Sequence, residues 1–476
     1  MRWKTTVLLL VLTVGVGAYV SLYELKQPTP EERERRSRQV ISIAPASVSR
    51  LEIALPQAGV SVVRDGTTWR MSPAQVRADP ERIERILRDV NPLMAERVLS
   101  GTPEAPLDPS AFGLSPPVGR ISLHADGAPT SLLLGETTAV HGNRYLQVEG
   151  RPEVFVVPPA LFEDANQPTE TFRDPRLVRL DPWAVDQLAL AAPEVTLSLT
   201  RTDNRWTLTQ PLEDRADRAE VTALLRTLAD IQIRRFVEDQ PQSEGLASWG
   251  LEHPALEVTV ARGTPAVATT LVFGGALPDD PSLVYAKRSD EPPLYAVAAA
   301  DLEPLRRDPH GLRERACFEL FADLASRIEV TREGATWALE RTDGRWQEAG
   351  SGEELASERV EAWLNQVAEL RASGFEDDAP SDLVRYGLAP PSGAITVRTT
   401  DREEPQRLLI GSTVDGSGSR YGRIEGRAAV VRLPESVVEL LAPLADETAG
   451  PKRALQDGEV GQEGEQGQRP PEEVMP

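Results

Sequence analysis

An aromatic residue, a glycine and a leucine, with proline close behind, recur three times in this chain. They read Phe112-Gly113-Leu114 with Pro116, Trp249-Gly250-Leu251 with Pro254, and Tyr386-Gly387-Leu388 with Pro390. From each glycine to the next is 137 residues. A period of that length marks a duplicated domain, since solenoid repeats run to roughly 20–50 residues. Glycine after a short helical turn takes the left-handed conformation without steric cost, the leucine packs back, and proline bars further helix. Three copies also suit a chain of 476 residues at about 150 residues per domain.

Each copy opens with a short alternating strand: Arg50-Leu51-Glu52-Ile53, Gln187-Leu188-Ala189-Leu190, and Arg327-Ile328-Glu329-Val330. A hairpin follows, turned by Asp65-Gly66, Asp203-Asn204 or Asp343-Gly344, residue types that tolerate positive φ. In every hairpin an arginine sits five residues before a tryptophan: Arg64/Trp69, Arg201/Trp206 and Arg341/Trp346. An amphipathic helix comes next, with apolar residues at i, i+3, i+4 and i+7. These are Ile83, Ile86, Leu87 and Val90; Val221, Leu224, Leu225 and Leu228; Val360, Trp363, Leu364 and Val367. Asp79 and Asp217 stand at N-cap positions, and Asp217 with Glu220 has capping-box spacing. The third copy has Ala356 there, a loss of about 1 kcal/mol unless Ser357 caps instead.

Beyond the aromatic-glycine-leucine turn three more strands are expected. They carry an apolar-glycine pair (Leu134-Gly135, Phe273-Gly274, Ile410-Gly411), a tyrosine (Tyr145, Tyr285, Tyr421) and a nearly all-apolar run around Phe155, Tyr295 and Val431. A short helix closes each unit. The predicted fold is α+β: three tandem copies of a mostly antiparallel β-sheet unit with a covering helix. Spacing places the repeats at 43–170, 171–305 and 306–445, joined at Arg173-Asp174-Pro175 and Arg307-Asp308-Pro309. Residues 446–476, rich in Gly, Gln, Glu and Pro, read as a disordered acidic tail.

Ahead of the repeats, Arg2 and Lys4 precede Thr5–Tyr23, a run without one charged residue. As a helix at about 1.5 Å per residue it spans roughly 28 Å, close to the thickness of a bilayer's hydrocarbon core. Residues 1–23 therefore read as one N-terminal transmembrane helix and 24–42 as a charged linker. A cleaved leader is the competing reading, but no Ala-x-Ala site follows and no cysteine is placed for lipidation. Counting Lys26 and the linker arginines strictly would put the body inside. A short basic N-terminus before a first span usually stays inside, which favours a body in the periplasm, anchored to the cytoplasmic membrane. The formal charge of −22 argues against nucleic-acid binding by phosphate neutralisation and suits a soluble, self-repelling body. One cysteine, Cys317, excludes an internal disulfide framework and a cysteine metal cluster.

No constellation in the sequence announces catalysis. The four histidines, His124, His141, His253 and His310, stand far apart without a second ligand at metal spacing. No nucleophile elbow, phosphate loop, zinc-protease helix or calcium loop occurs. Catalytic, cofactor and metal residues are therefore expected to be none. Asp279-Asp280 and Glu376-Asp377-Asp378 could hold calcium, though in so acidic a chain solvated loops are the plainer reading. Gly416–Ser419 reads as a hairpin tip, and Cys317 beside Phe318 as an inert buried thiol. What does repeat is a set of structural markers: Trp69, Trp206 and Trp346; Gly113, Gly250 and Gly387; Leu114, Leu251 and Leu388; Gly135, Gly274 and Gly411. Tryptophan at one fixed place in every duplicate reads as a core plug rather than a sugar-stacking platform. Its arginine reads as a cross-strand partner or solvated edge rather than an anion site.

The anchor and linker, the leading strand, the hairpin tryptophan, the helix start, the aromatic-glycine-leucine turn and the apolar-glycine pair, in that order, resemble the bacterial family called domain of unknown function 4340. The resemblance runs from the anchor to about residue 445. It implies a membrane-anchored envelope protein without a known catalytic residue, of a kind often encoded beside ABC-2-type exporters of the gliding-motility class. The expected function is a non-enzymatic accessory or scaffold subunit of such an exporter complex, with the membrane and other proteins as partners. The alternative is a binding module for an envelope polymer such as a glycan, which needs exposed aromatic rings. An enzyme of unfamiliar type is the third reading.

Overall fold

The computed structural model describes residue 3 and residues 30–444, except 126, 140, 141, 243, 244 and 264. The expected span Thr5–Tyr23, the tail 446–476 and His141 lie outside the described residues. Among the described residues no helix is long and apolar enough to cross a membrane. The chain divides into two compact units, the first ending at Leu312 and the second starting at Arg313. The first unit contains two repeats and the second unit one.

Alternation decides which face of each strand is buried. Along Gln187–Ala192 and Val195–Thr202, Leu188, Leu190, Leu197 and Leu199 point inward while the intervening residues face outward. Each repeat builds one large antiparallel sheet among the described residues, of eight strands in the first and nine in the second and third, and the first adds a two-stranded ribbon of Gln39–Ile41 and Leu93–Met94. In the second repeat the order from one edge is Asp214–Arg215, Arg205–Gln210, Val195–Thr202, Gln187–Ala192, Leu256–Arg262, Val267–Ala276, Leu283–Arg288, Leu294–Ala298 and Ile233–Glu238. The helices are α1 (Pro30–Arg38), α2 (Pro80–Val90), α3 (Ala160–Ala165), α4 (Arg218–Asp230) and α5 (Ser357–Glu369). In α2, α4 and α5 the expected apolar stripes are buried in full. Helix α4 leaves the sheet at one edge and delivers the chain to the other, which is why it covers the face between them.

The caps follow the sequence. Asp79 accepts from the Glu81 N–H, Asp217 accepts from those of Ala219 and Glu220, and Ala356 offers no side-chain cap. Other expectations shift. Four strands, not three, follow each glycine turn, because Gly119–His124 and its counterparts Leu256–Arg262 and Gly393–Thr399 come first. A further edge strand, Arg97–Leu99, Ile233–Glu238 or Gly374–Asp377, lies between helix and turn. The linker becomes helix α1 at Pro30, and Val40 and Ile41 already belong to the first core. That core reaches Phe172 and the second reaches Leu312, a few residues past the spacing-based boundaries.

The glycine motifs of each repeat are two sides of one contact. Gly113, Gly250 and Gly387 are left-handed, with φ of 66°, 69° and 66°. A Cβ on Gly250 would stand 2.8 Å from the Gly275 nitrogen, and one on Gly387 2.7 Å from the Ser412 nitrogen. In return Gly135, Gly274 and Gly411 lie under the carbonyl oxygens of Phe112, Trp249 and Tyr386, where any side chain would collide. The Gly275 N–H donates to the Trp249 carbonyl at 2.8 Å. The ladder shifts register at this point in all three sheets, a bulge that lets the turn seat. The aromatic residue of the turn then meets the strand tyrosine, Phe112 on Tyr145 at 4.9 Å and Tyr386 on Tyr421 at 5.0 Å between centroids, both edge-on. Gly411→Ala should destabilise the third repeat by about 1–3 kcal/mol. Gly374→Ala, where a Cβ meets nothing within 4 Å, should stay within about 0.5 kcal/mol. Amide exchange across Gln406–Thr413 measures both, and equal protection in the two variants would sink the argument.

Candidate functional site

The repeated tryptophans are not presented to a ligand. Trp69, Trp206 and Trp346 are 1%, 5% and 0% exposed and pair across the hairpin with Arg64, Arg201 and Arg341. The Arg64 guanidinium lies 4.3 Å from the Trp69 ring centre, and that of Arg201 5.7 Å from Trp206. In the first repeat Arg64 and the Trp69 indole both donate to Glu84 of α2 at 3.2 Å, which ties hairpin to helix.

The densest polar cluster lies where the first and second repeats join. Arg77, just ahead of α2, donates to Asp174 at 2.7 Å and to Glu291 at 3.0 Å. The two carboxylates are 2% and 4% exposed. Arg179 holds Asp174 at 2.9 Å, Arg288 holds Glu291 at 3.0 Å, and the Tyr295 hydroxyl donates to Glu291 at 2.8 Å. Arg77 also reaches the carbonyls of Arg176 and Leu177, and Arg288 that of Leu177. A cleft of about 310 Å³ opens over these groups. Burial drives the Tyr295 hydroxyl to a raised pKa, reinforced by the charge of Glu291. For Arg288 burial works against the charge, and Asp290 and Glu291 outweigh it, so the guanidinium sits above its ordinary value.

Strand register explains why the cluster was not visible in the motif. Arg288 pairs with Leu271 where the other repeats pair Val148 with Leu132 and Ile424 with Leu408. One copy thus carries arginine in a slot that is aliphatic in the other two. The cluster's cations and carboxylates satisfy one another, so the arrangement joins two repeats rather than presenting charge to a ligand. Isolated buried charge is costly, and breaking such a pair costs about 3–5 kcal/mol.

The remaining sequence candidates are dispersed. Asp279 is paired with Arg235 at 2.7 Å, Glu376 with Arg432 at 2.6 Å, Asp377 with Arg385 at 3.0 Å and Asp378 with Arg313 at 2.6 Å. Arginines thus partner both acidic runs, and Asp279, 65% exposed, stays in the solvated loop expected of it. Among the described residues no group of three potential ligands could hold a metal. His124 lies 3.4 Å from Glu52 on the neighbouring strand. Gly416–Ser419 turns the hairpin between Gln406–Thr413 and Arg420–Ile424.

The two Arg-Asp-Pro junctions are not equivalent. The Phe172 carbonyl accepts from the Asp79 N–H and the Leu312 carbonyl from the Asp217 N–H, which makes Arg313, not Arg307, the counterpart of Arg173. Arg173 lies 4.1 Å over Phe236 and pairs with Asp239; Arg313 lies 3.5 Å over Phe375 and pairs with Asp378. This arginine-aromatic-aspartate lock escaped sequence reading because its members are more than sixty residues apart.

Two measurements follow. A double-mutant cycle over Arg77→Met and Glu291→Gln should return a coupling of about 1–3 kcal/mol in the unfolding of the first unit, whereas strict additivity would show the pair to be incidental. Burial pushes the Cys317 thiol up to about 12. Iodoacetamide at pH 8 should then label the denatured chain and leave the native one unmodified, as mass spectrometry would read directly.

A family model described as a domain of unknown function (DUF4340) matches residues 69–238, 206–378 and 352–448. The first two matches begin at Trp69 and Trp206, the same hairpin position one period apart. No curated protein and no solved structure matches the chain. Matched three times over along most of its length, the chain belongs to the DUF4340 family.

Proposed function

We propose that this protein is a non-enzymatic scaffold: a single-span, membrane-anchored subunit that holds three repeats on the outer side of the cytoplasmic membrane and partners an ABC-2-type exporter complex. The observation that carries the reading is where the repeated residues go. The marker residues shared by all three copies serve the core or the glycine contact: the hairpin tryptophans are buried, and the glycines and leucines seat the turn on the bulged strand. What the copies share is a rigid shape, which is what a presenting scaffold needs. The junction cluster, with its carboxylates buried, ties the first two repeats to each other in the same spirit. The apolar run Thr5–Tyr23 supplies the anchor in this reading.

Polymer binding is the second reading, and it now rests on other rings. Trp183 is 53% exposed and Phe321 72%, each ahead of the leading strand of its repeat. Affinity purification of the full-length chain from gently solubilised native membranes, followed by mass spectrometry, separates the two. An exporter permease and its ATPase should co-purify reproducibly. Recovery of the protein alone would defeat the scaffold reading and leave the exposed rings to be tested against glycans.

A further inference from the structure

The chain leaving each of the first two repeats runs past the start of that repeat's covering helix and bonds to it. The Phe172 carbonyl accepts from the Asp79 N–H at 2.8 Å, and the Leu312 carbonyl from the Asp217 N–H at 2.7 Å. Beyond Phe172 the contact continues as a short extra rung. Arg173 bridges Ala78, the Asp174 N–H donates to the Arg77 carbonyl at 3.0 Å, and the Asp174 carboxylate takes the Arg77 guanidinium.

In the third repeat the same place stands open among the described residues. Ala356 takes the position of Asp79 and Asp217 ahead of helix α5; it is exposed, and no backbone carbonyl among the described residues accepts its N–H. A hollow of about 80 Å³ lies beside it, lined by Glu348, Glu353, Glu354, Leu355, Arg359 and Leu444. Strand register singles out one of these acids. Arg77, Arg215 and Glu354 stand opposite Arg70, Thr207 and Gln347, the residues that follow the three hairpin tryptophans. Glu354–Leu355 is also the edge strand of its sheet. The third copy thus carries a carboxylate where the first carries the arginine that receives the leaving chain.

The sequence beyond the hollow changes sign to match. Glu170-Thr171 ahead of Phe172 returns as Glu447-Thr448 ahead of Ala449, and Arg176-Leu177-Val178 returns as Arg453-Ala454-Leu455, both 277 residues on. At that offset Pro451 falls where Asp174 stands, and the cations Lys452 and Arg453 come directly after it. We propose that residues 447–455 dock on the third repeat as the leaving chain docks on the first, with Ala449 against Ala356 and the Lys452-Arg453 pair against Glu353 and Glu354. The reach is sufficient: Leu444 already lines the hollow, and five residues extend to about 17 Å. Glu354 has only a solvated 3.4 Å pair with Arg345 to exchange. Arg359, the cation lining the hollow from α5, suits Glu447 on the other side. The docked segment covers an open sheet edge and gives the Ala356 N–H an acceptor.

Hydrogen exchange of the full-length chain in mild detergent, read by mass spectrometry at the 354–357 amides, tests the docking. Those amides should exchange about tenfold faster once residues 446–476 are removed, with exchange across Gln406–Thr413 unchanged. Lys452→Glu combined with Arg453→Glu should speed them about three- to fivefold, the scale of an exposed ion pair. Glu354→Lys alone should do the same, and adding it to the two tail reversals should restore most of the protection. Removal of the tail without effect, or reversals that Glu354→Lys fails to rescue, would overturn the proposal. So would cross-links from 447–455 that join an isotopically labelled copy to an unlabelled one, since the occupant would then be a second copy of the chain.

Discussion

Two backbone segments touching without an intervening side chain are the constraint on which each repeat rests. The carbonyl of Phe112, Trp249 or Tyr386 sits directly on Gly135, Gly274 or Gly411, and the glycine of the turn sits directly on the residue that follows. Neither surface can carry a Cβ, so both glycines are demanded together. The contact explains the rest of the local pattern. A strand bulge makes room for the turn, the leucine behind it packs against the same glycine, and the tyrosine of the next strand receives the aromatic ring. Motifs that look separate in sequence, some twenty residues apart, are one interface in space.

That is also why so much of the fold was legible. Turn glycines, hairpin aspartates, caps and apolar stripes each act over a few residues, and the period confirms each signal twice. Features set by distant partners were not legible. The edge strand Ile233–Glu238 lacks alternation because its register with Leu294–Ala298 shifts twice, which leaves Arg234, Arg235 and Val237 exposed. The lock of Arg173 with Phe236 and Asp239 joins the start of a repeat to its edge strand, more than sixty residues on, and the similar spelling of Arg307-Asp308-Pro309 pointed to the wrong counterpart. Only the register of the strand pairs reveals that Arg288 occupies a slot held elsewhere by Val148 and Ile424.

An arginine in an aliphatic slot is an expensive choice, and its neighbours show what it achieves. Replacing an ion pair of this burial with well-packed apolar groups is often neutral or stabilising, so stability alone does not account for Arg288 and Glu291. Direction does. The guanidiniums of Arg77 and Arg288 reach the carbonyl of Leu177, while Asp174 and Glu291 fix Arg77 from two sides. An apolar contact tolerates sliding and rotation; these hydrogen bonds do not. The first two repeats are thereby held in one register, consistent with their forming a single compact unit.

Duplication makes the differences between copies as informative as the similarities. A shared core fixes where every side chain must go, so a departure in one copy changes one place against a constant background. The second repeat departs at two places: it carries Arg288 where its sisters are aliphatic, and Ala192 where the first repeat carries Leu55. The first departure fills a core corner with charge that is matched on every side. The second exchanges one leucine for another: Ala192 lies across from Leu256, whereas Leu55 lies across from Gly119, so the pair keeps its aliphatic carbon. Volume traded across two facing positions leaves the total unchanged, which is the kind of substitution a packed core tolerates best, so the copies diverge in sequence while keeping one shape.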